Sequence, residues 1–145
     1  AAWRLGKFDL WGFEPDANVT GHDFIDQAAE HMLAHYQHVY TLCAETSEGK
    51  RPAGIAFFYQ PELRAPHLLM ACMLWFPWAT SRNKLEAMVH LMNALRKDYI
   101  ILEYGMPGEQ KFWDHVCRYG VMRRVGTMHD FYEGPAAVYQ TRKRR

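Results

Sequence analysis

The apolar segment Leu68–Ala79 constrains the fold of this chain more than any other part of its sequence. Its twelve residues carry no charged side chain, and Pro77 interrupts them near the end. A membrane-spanning helix needs about 20 apolar residues, so the segment is too short to be one. Residues Leu68–Phe76 are apolar on both faces, which is typical of a central strand covered by helices on both sides. We therefore predict a buried sheet in an α/β domain.

The sequence on either side of this segment alternates between strand-like and helix-like periods. The predicted strands are Trp3–Leu10, Val39–Ala44, Ala53–Tyr59, Leu68–Phe76, Tyr99–Tyr104, Val125–Tyr132 and Ala136–Thr141. The predicted helices begin after Thr20, at a cap formed by Thr80 or Ser81, and at Glu109. A polar turn is expected over Glu45–Pro52, and Gly120 suits the end of the last helix. The order predicts an α+β domain with a mixed, mostly antiparallel sheet and helices on both faces.

The chain length of 145 residues fits one domain, which we place at residues 1–141. The last four residues, Arg142, Lys143, Arg144 and Arg145, form a basic tail. Without them the chain has 13 basic and 16 acidic residues, a net charge of −3. We therefore expect nucleic acid to bind only through the tail, which should extend from the domain. We interpret the tail as a frayed, solubilising terminus, and binding to nucleic acid or to an acidic partner surface is the alternative.

The three cysteines, Cys43, Cys72 and Cys117, are far apart in sequence and lie within apolar segments. No pair has the spacing of a metal site or a redox motif. We expect buried free thiols and a reducing compartment such as the cytoplasm. The N-terminal residues lack the apolar core of a secretory signal, which agrees with that location.

Three histidines, His31, His35 and His38, are spaced so that a helix would place them on one side. Two histidines four residues apart can share a divalent metal ion. No cysteine or carboxylate stands at a compatible distance in the sequence, so we interpret the three as a polar helix face and expect no metal site.

The layout around the central strand resembles the GNAT (N-acetyltransferase-like) fold. Three meander strands lead to an apolar strand with a proline near its end, Leu74–Pro77, and a helix begins a few residues later. A strand, a short helix ending in Tyr119-Gly120 and a final strand follow. The resemblance covers residues 24–141 and implies a notch where two central strands splay apart and acyl-CoA lies. We expect Trp75, Trp78 and Met106 near its mouth.

The resemblance also implies a pyrophosphate loop of the form Arg/Gln-x-x-Gly-x-Gly/Ala, where the glycines allow close backbone approach. Aligned on Leu85, this chain has Ser81 at the arginine position and Lys84 and Glu86 at the glycine positions. A carboxylate in the first turns of the helix would repel pyrophosphate. If acyl-CoA binds nonetheless, the expected contacts are Phe76, Ser81, Arg82, Asn83 and Lys84.

This chain also differs from the GNAT family at a position that supplies acid–base chemistry. Many GNAT proteins have a tyrosine four residues before the glycine that ends the last helix, and this chain has Val116 there. If the chain is an enzyme, Glu103 and Tyr104, at the end of a strand near the notch, are the candidate catalytic residues. The alternative for Glu103 is an ordinary carboxylate at a strand end.

These departures favour a non-catalytic GNAT-like module that binds other proteins, similar to the small GNAT-like proteins of tailed bacteriophages and their virions. Exposed aromatic residues at Phe112-Trp113 or Phe131-Tyr132 would mark such a partner surface. This interpretation expects no cofactor and no contact with a membrane. The alternative is an acetyl-CoA-dependent N-acetyltransferase with a divergent pyrophosphate loop.

Overall fold

The computed structural model describes residues 38–131 and 134–143, together with eight residues between positions 23 and 36. The seven that lie at positions 23–34 have helical backbone, in agreement with the first predicted helix. The predicted strand Trp3–Leu10, the capping residue Thr20 and the last two residues of the chain lie outside the described residues.

Six strands and two helices follow in residues 38–131 and 134–143. They are β1 (His38–Thr46), β2 (Gly49–Tyr59), β3 (Leu68–Trp75), α1 (Ser81–Leu95), β4 (Ile100–Gly105), α2 (Gln110–Arg118), β5 (Met122–Phe131) and β6 (Gly134–Thr141). The strands form one sheet in the order β1-β2-β3-β4-β6-β5. All neighbours are antiparallel except β3 and β4, which are parallel. The predicted mixed, mostly antiparallel sheet is therefore confirmed.

The centre of the sheet is buried on both faces, as Phe57 and Phe58 of β2 show. Helices α1 and α2 pack on one face, where Met88 and Val116 join Phe58 and Ile101 in one buried cluster. On the other face, the ring of Tyr36 lies 5.5 Å from that of Phe57 between ring centroids. Neighbouring residues of a strand point to opposite faces, so Phe57 packs on the face of Tyr36 and Phe58 packs on the face of the two helices. None of the described helices is long and apolar enough to cross a membrane.

The hairpin between β1 and β2 is longer than the sequence predicts. Only Ser47 and Glu48 form the turn, because Gly49 adopts a φ of +98°, which glycine tolerates without strain. The hydroxyl of Thr46 donates to the Gly49 carbonyl at 2.7 Å and closes the turn. Polar residues at both sides thus continue the ladder, and the predicted turn over Glu45–Pro52 is wrong.

The histidine stripe does not form as a helix face. His38 is the first residue of β1, and its ring packs against that of Tyr99 at 5.2 Å between centroids. His31 is helical, whereas His35 lies outside the described residues. No group of three or more metal-binding side chains occurs within the described part of the chain.

Two further expectations need correction. Cys43 is exposed and only Cys72 and Cys117 are half-buried, although all three thiols are free. Because β1 lies at the edge of the sheet, every second side chain along it points to solvent, and Cys43 is one of these. The tail does not leave the domain at its first residue, because the Arg142 N–H donates to the Val121 carbonyl at 2.8 Å.

Candidate functional site

Strands β3 and β4 separate after three residue pairs. Leu68–Met70 pair with Ile100–Leu102, and no pairing continues beyond them. Residues 71–75 of β3 remain bonded to β2, whereas residues 103–105 of β4 remain bonded to β6. Each strand therefore stays with its own half of the sheet. We call the space between residues 71–75 and 103–105 the notch; it lies at the carboxyl ends of two parallel strands, where α/β sheets commonly bind ligands.

Glu103 lies at the start of the notch. Its Oε2 atom is shielded from solvent and has no hydrogen-bond partner among the described residues. Burial raises the pKa of this carboxyl well above its usual range, and the negative charge of Glu109 raises it further, while the Tyr104 backbone N–H partly offsets both. A buried polar atom without a partner is costly and rare in folded proteins, so Glu103 is more than an ordinary strand-end carboxylate.

The charge of Glu103 acts on the Cys72 thiol, which in turn interacts with the Tyr36 hydroxyl. Burial, followed by the charge of Glu103, raises the pKa of the Cys72 thiol to about 11, although a hydrogen bond with Tyr36 lowers it. Burial, followed by Cys72, raises the pKa of the Tyr36 hydroxyl to about 12. Both groups are therefore neutral at pH 7. Burial raises the pKa of all three groups, and only for Glu103 does this rise start from below pH 7 and bring the pKa closer to it.

The structure separates the two candidate catalytic residues. Glu103 pairs with Tyr139, on the face that packs against α1 and α2. Tyr104 points to the opposite face, where its ring stacks on Phe131 with centroids 5.0 Å apart and planes at 24°. Tyr104 thus packs as part of the sheet surface, and Glu103 alone of the pair faces the two helices.

Helix α1 begins directly beside the notch, and Thr80 is its cap. The Thr80 hydroxyl accepts the Asn83 N–H at 3.1 Å, and the Asn83 side chain accepts the Thr80 N–H at 3.2 Å. The Lys84 N–H donates to the Thr80 carbonyl at 3.0 Å. The N–H groups of Ser81 and Arg82 have no partner among the described residues, so they are the two donors available to an anion.

This arrangement changes the roles predicted for the α1 residues. The N–H groups of Asn83 and Lys84 are used within the helix, and that of Phe76 donates to the Ala53 carbonyl at 2.8 Å. None of these three can offer its backbone to a phosphate. The guanidinium of Arg82 forms an ion pair with Glu86 at 2.7 Å on the exposed side of the helix. Glu86 therefore neutralises the cation nearest the free donors.

Of the three residues expected at the mouth of the notch, two flank it. Trp75 is the last residue of β3, and its ring meets that of Phe112 of α2 at 6.4 Å between centroids. Met106 directly follows β4. Trp78 instead packs with the small cluster of Ala44, Ala53 and Ala79, and Arg51 lies 4.3 Å above its ring.

The predicted exposed aromatic surfaces are absent from the described residues. Trp113 is buried and Phe112 is half-buried, while Phe131 is covered by Tyr104. Tyr132 lies outside the described residues. Phe112, Trp113 and Phe131 pack within the domain, so these three described residues form no exposed aromatic cluster.

Nothing in the sequence indicates that Tyr139 lies beside Glu103. Its hydroxyl donates to Asp114 at 2.9 Å, and burial raises its pKa above the usual range, with Asp114 adding to the effect. The side chain is fully buried beneath α2. The alternating pattern of β6 could have identified it as inward-facing, but its position beside Glu103 depends on β6 lying between β4 and β5.

No protein-family model matches the chain, and no curated protein matches it with significance. Solved structures do. A putative GNAT-family acetyltransferase from Bordetella pertussis aligns with a TM-score of 0.54 at 16% identity, over 95% of this chain and 91% of the other. A GCN5-related N-acetyltransferase from Kribbella flavida aligns with a TM-score of 0.54 at 16% identity, over 88% and 80%.

A ribosomal-protein-alanine N-acetyltransferase from Brucella melitensis aligns with a TM-score of 0.51 at 11% identity, over 85% of this chain and 76% of the other. Identities this low support an inference about fold and not about activity. Together with the strand order, the splayed parallel pair and the helix that starts beside it, these alignments show that the chain has the GNAT fold.

Proposed function

We propose that this chain is an acyl-CoA-dependent N-acyltransferase in which Glu103 accepts the proton of the acceptor amine. The observation that carries the proposal is the buried, unpartnered Oε2 of Glu103 at the point where β3 and β4 diverge. The structural neighbours named as acetyltransferases support the same class of reaction.

The residues beside the notch fit an acyl-CoA at two points. The free N–H groups of Ser81 and Arg82, at the positive end of α1, suit an anionic group such as pyrophosphate. The unpaired edges of residues 71–75 and 103–105 leave backbone groups for an extended ligand arm. Acyl-CoA, when bound, supplies an activated thioester whose acyl group can pass to a nitrogen nucleophile.

Glu103 supplies the proton chemistry. An amine must lose a proton as its nitrogen forms the bond to the acyl carbon, and a carboxylate with a raised pKa is a better base than an ordinary one. The proton moves to the Glu103 carboxylate, and this neutralises the buried group whose Oε2 has no hydrogen-bond partner among the described residues. The chain needs no acid at Val116, because a thiol has a pKa of about 8.5 and its thiolate can leave unprotonated.

The test measures acetyl transfer from acetyl-CoA to a panel of small primary amines, followed as released thiol. Glu103→Gln should lower kcat/KM by about 10²–10⁴-fold, the usual contribution of a general base. Binding of acetyl-CoA, measured by calorimetry, should persist in this variant. The matched control is Glu109→Gln: it should stay active and shift the pH midpoint downward, because the Glu109 charge helps to raise the pKa of Glu103.

A Glu103→Gln variant as active as the unchanged protein would contradict the proposed role of this residue. Failure of acetyl-CoA to bind at all would contradict the proposed activity. The second candidate function, a non-catalytic module that binds other proteins, would then be favoured. The ion pair between Arg82 and Glu86 supports that candidate, because it leaves little positive charge for a pyrophosphate. The bacteriophage assembly role stays a prediction from the resemblance.

A further inference from the structure

A cavity lies at the end of β4 that is opposite the notch. Its volume is about 720 Å³, and its walls come from the end of α1, the first residue of β4, the first part of β5 and the end of β6. The notch begins at Glu103, whereas this cavity is lined by Tyr99 and Ile100. The two sites are therefore at opposite ends of the same strand, and nothing in the proposed acyl transfer uses the second one.

The cavity collects positive charge. Arg96, Arg123, Arg142 and Lys143 line it, and no acidic residue does. None of the four forms an ion pair among the described residues. The acid nearest in sequence, Asp98, is exposed and is not part of the lining. Like charges held close together repel one another, so an anion that binds there lowers the electrostatic free energy of the site.

Arg96 is held in place for such a role. Its Nε donates to Asn93 at 2.9 Å, and its guanidinium reaches the Gly120 carbonyl at 3.4 Å. Neither partner is charged, so the positive charge of Arg96 is oriented without being neutralised. Arg142 is tied by its backbone to Val121, which keeps the start of the basic tail at the edge of the cavity.

We infer that this cavity binds the phosphates of a single-stranded nucleic acid. Its volume exceeds what one phosphate ion needs and falls in the range of ordinary ligand sites. Tyr99 also lines the cavity with these cations, while its ring packs against that of His38 at 5.2 Å between centroids. Aromatic rings beside cations are the combination that single strands use for base stacking and backbone contact. The sequence continues from Lys143 with Arg144 and Arg145, which extends the positive charge along the chain as a linear polyanion requires.

The test measures fluorescence anisotropy of a fluorescein-labelled 12-nucleotide oligouridylate with the full chain over a series of salt concentrations. The double variant Arg123→Gln/Arg142→Gln should weaken binding at least tenfold at low salt. The slope of log affinity against log salt should fall by about 0.7 for each lost cation. The matched control is Lys50→Gln/Arg64→Gln, which removes the same charge from exposed ion pairs elsewhere and should change affinity less than twofold.

A separate pair of variants tests the aromatic contact. Tyr99→Leu should weaken binding about fivefold or more, whereas Tyr99→Phe, which keeps the ring, should bind like the unchanged protein. Circular dichroism identifies any variant that fails to fold. If Tyr99→Leu fails to fold, the charge variants decide whether the cavity is used, because Tyr99→Phe tests only the hydroxyl.

Three results would overturn the inference. Equal losses in the two double variants would mean general charge attraction without a site. Displacement of the oligonucleotide by an equal concentration of inorganic triphosphate would mean a compact phosphate ligand. Binding of a 12-residue oligoglutamate as tight as that of the oligonucleotide would mean an acidic peptide.

Discussion

The two ends of β4 differ in charge and in exposure: one has a buried acidic side chain, and the other has basic side chains open to solvent. At the notch, the carboxyl group of Glu103 is buried, its Oε2 has no hydrogen-bond partner among the described residues, and its pKa is raised. At the other end, four cations line a cavity open to solvent. The C-terminus of α1 favours a cation near it, so Arg96 has a structural explanation. Among the described residues, the Tyr104 backbone N–H only partly offsets the burial of Glu103 and the charge of Glu109. An unsatisfied buried group is a rarer feature of folded proteins than an accumulation of exposed charge.

The packing around the notch end of β4 gives the largest expected effect on stability. A Cβ at Gly105 would lie 2.8 Å from the Tyr139 ring and 3.2 Å from the Trp113 ring. Gly105→Ala should therefore lower the free energy of unfolding by about 1–3 kcal/mol, the usual cost of overpacking a core. Gly126→Ala, on exposed β5 where a Cβ would meet nothing within 4 Å, is the matched control and should change it by less than about 0.5 kcal/mol.

Urea unfolding of both variants measures these changes. Equal stabilities would show that the end of β4 can shift away from α2. The notch would then be a loosely held region, and the contrast between a packed end and an open end of the strand would be lost.

The order of elements could be predicted from the sequence because each has a clear period. Leu68–Phe76 is predicted to within one residue of β3, since a strand buried on both faces is apolar throughout. The hairpin could not be predicted in the same way. Its polar residues at positions 45–52 match a loop by composition, but a single glycine with positive φ is enough to turn the chain there.

The candidate site could be predicted only in part. The resemblance to the GNAT fold implied Glu103, Ser81 and Arg82 as candidates, at a strand end and a helix start, and their roles stay predictions. The proximity of Cys72 and Tyr139 to Glu103 depends on how three strands are arranged, and neighbouring residues in sequence carry no signal of that arrangement. The burial of one carboxylate oxygen is likewise a property of the packed structure. A glutamate in a sequence is most often exposed, and its letter does not distinguish the exceptions.

The raised pKa of Glu103 predicts how stability depends on pH. The folded state holds the proton more tightly than the unfolded state, whose pKa is near 4.5. The stabilisation is therefore complete below about pH 4.5 and is lost as the pH rises through the folded-state pKa. Glu103→Gln has no titrating group here, so its stability relative to the unchanged protein should increase with pH across this window.

Urea unfolding at a series of pH values checks this expectation. The cavity variant Arg123→Gln/Arg142→Gln is the control from the other end of β4, and its profile should retain the pH dependence that Glu103 gives to the unchanged protein. Parallel profiles for Glu103→Gln and the unchanged protein would mean that Glu103 is as well solvated in the folded state as in the unfolded state. The contrast between the two ends would then be one of sign only.

The smallest expected effect concerns the ion pair at the start of α1. Glu86 lies 2.7 Å from Arg82, and both side chains are mostly exposed. Removing the carboxylate in Glu86→Gln frees the guanidinium and takes a negative charge away from the two free N–H groups. Charges near a helix end change binding free energies by about 0.3–1 kcal/mol, so the Kd for coenzyme A should fall between about twofold and fivefold.

Glu45→Gln, which breaks the exposed pair with Lys50 on the distant hairpin, should leave that Kd unchanged. Both variants should bind the oligonucleotide equally, because they alter the net charge equally and neither lines the cavity. Calorimetry with coenzyme A decides the matter: equal Kd values for the two variants would mean that no phosphate lies near Arg82, and the notch would then have to hold any ligand without the help of α1.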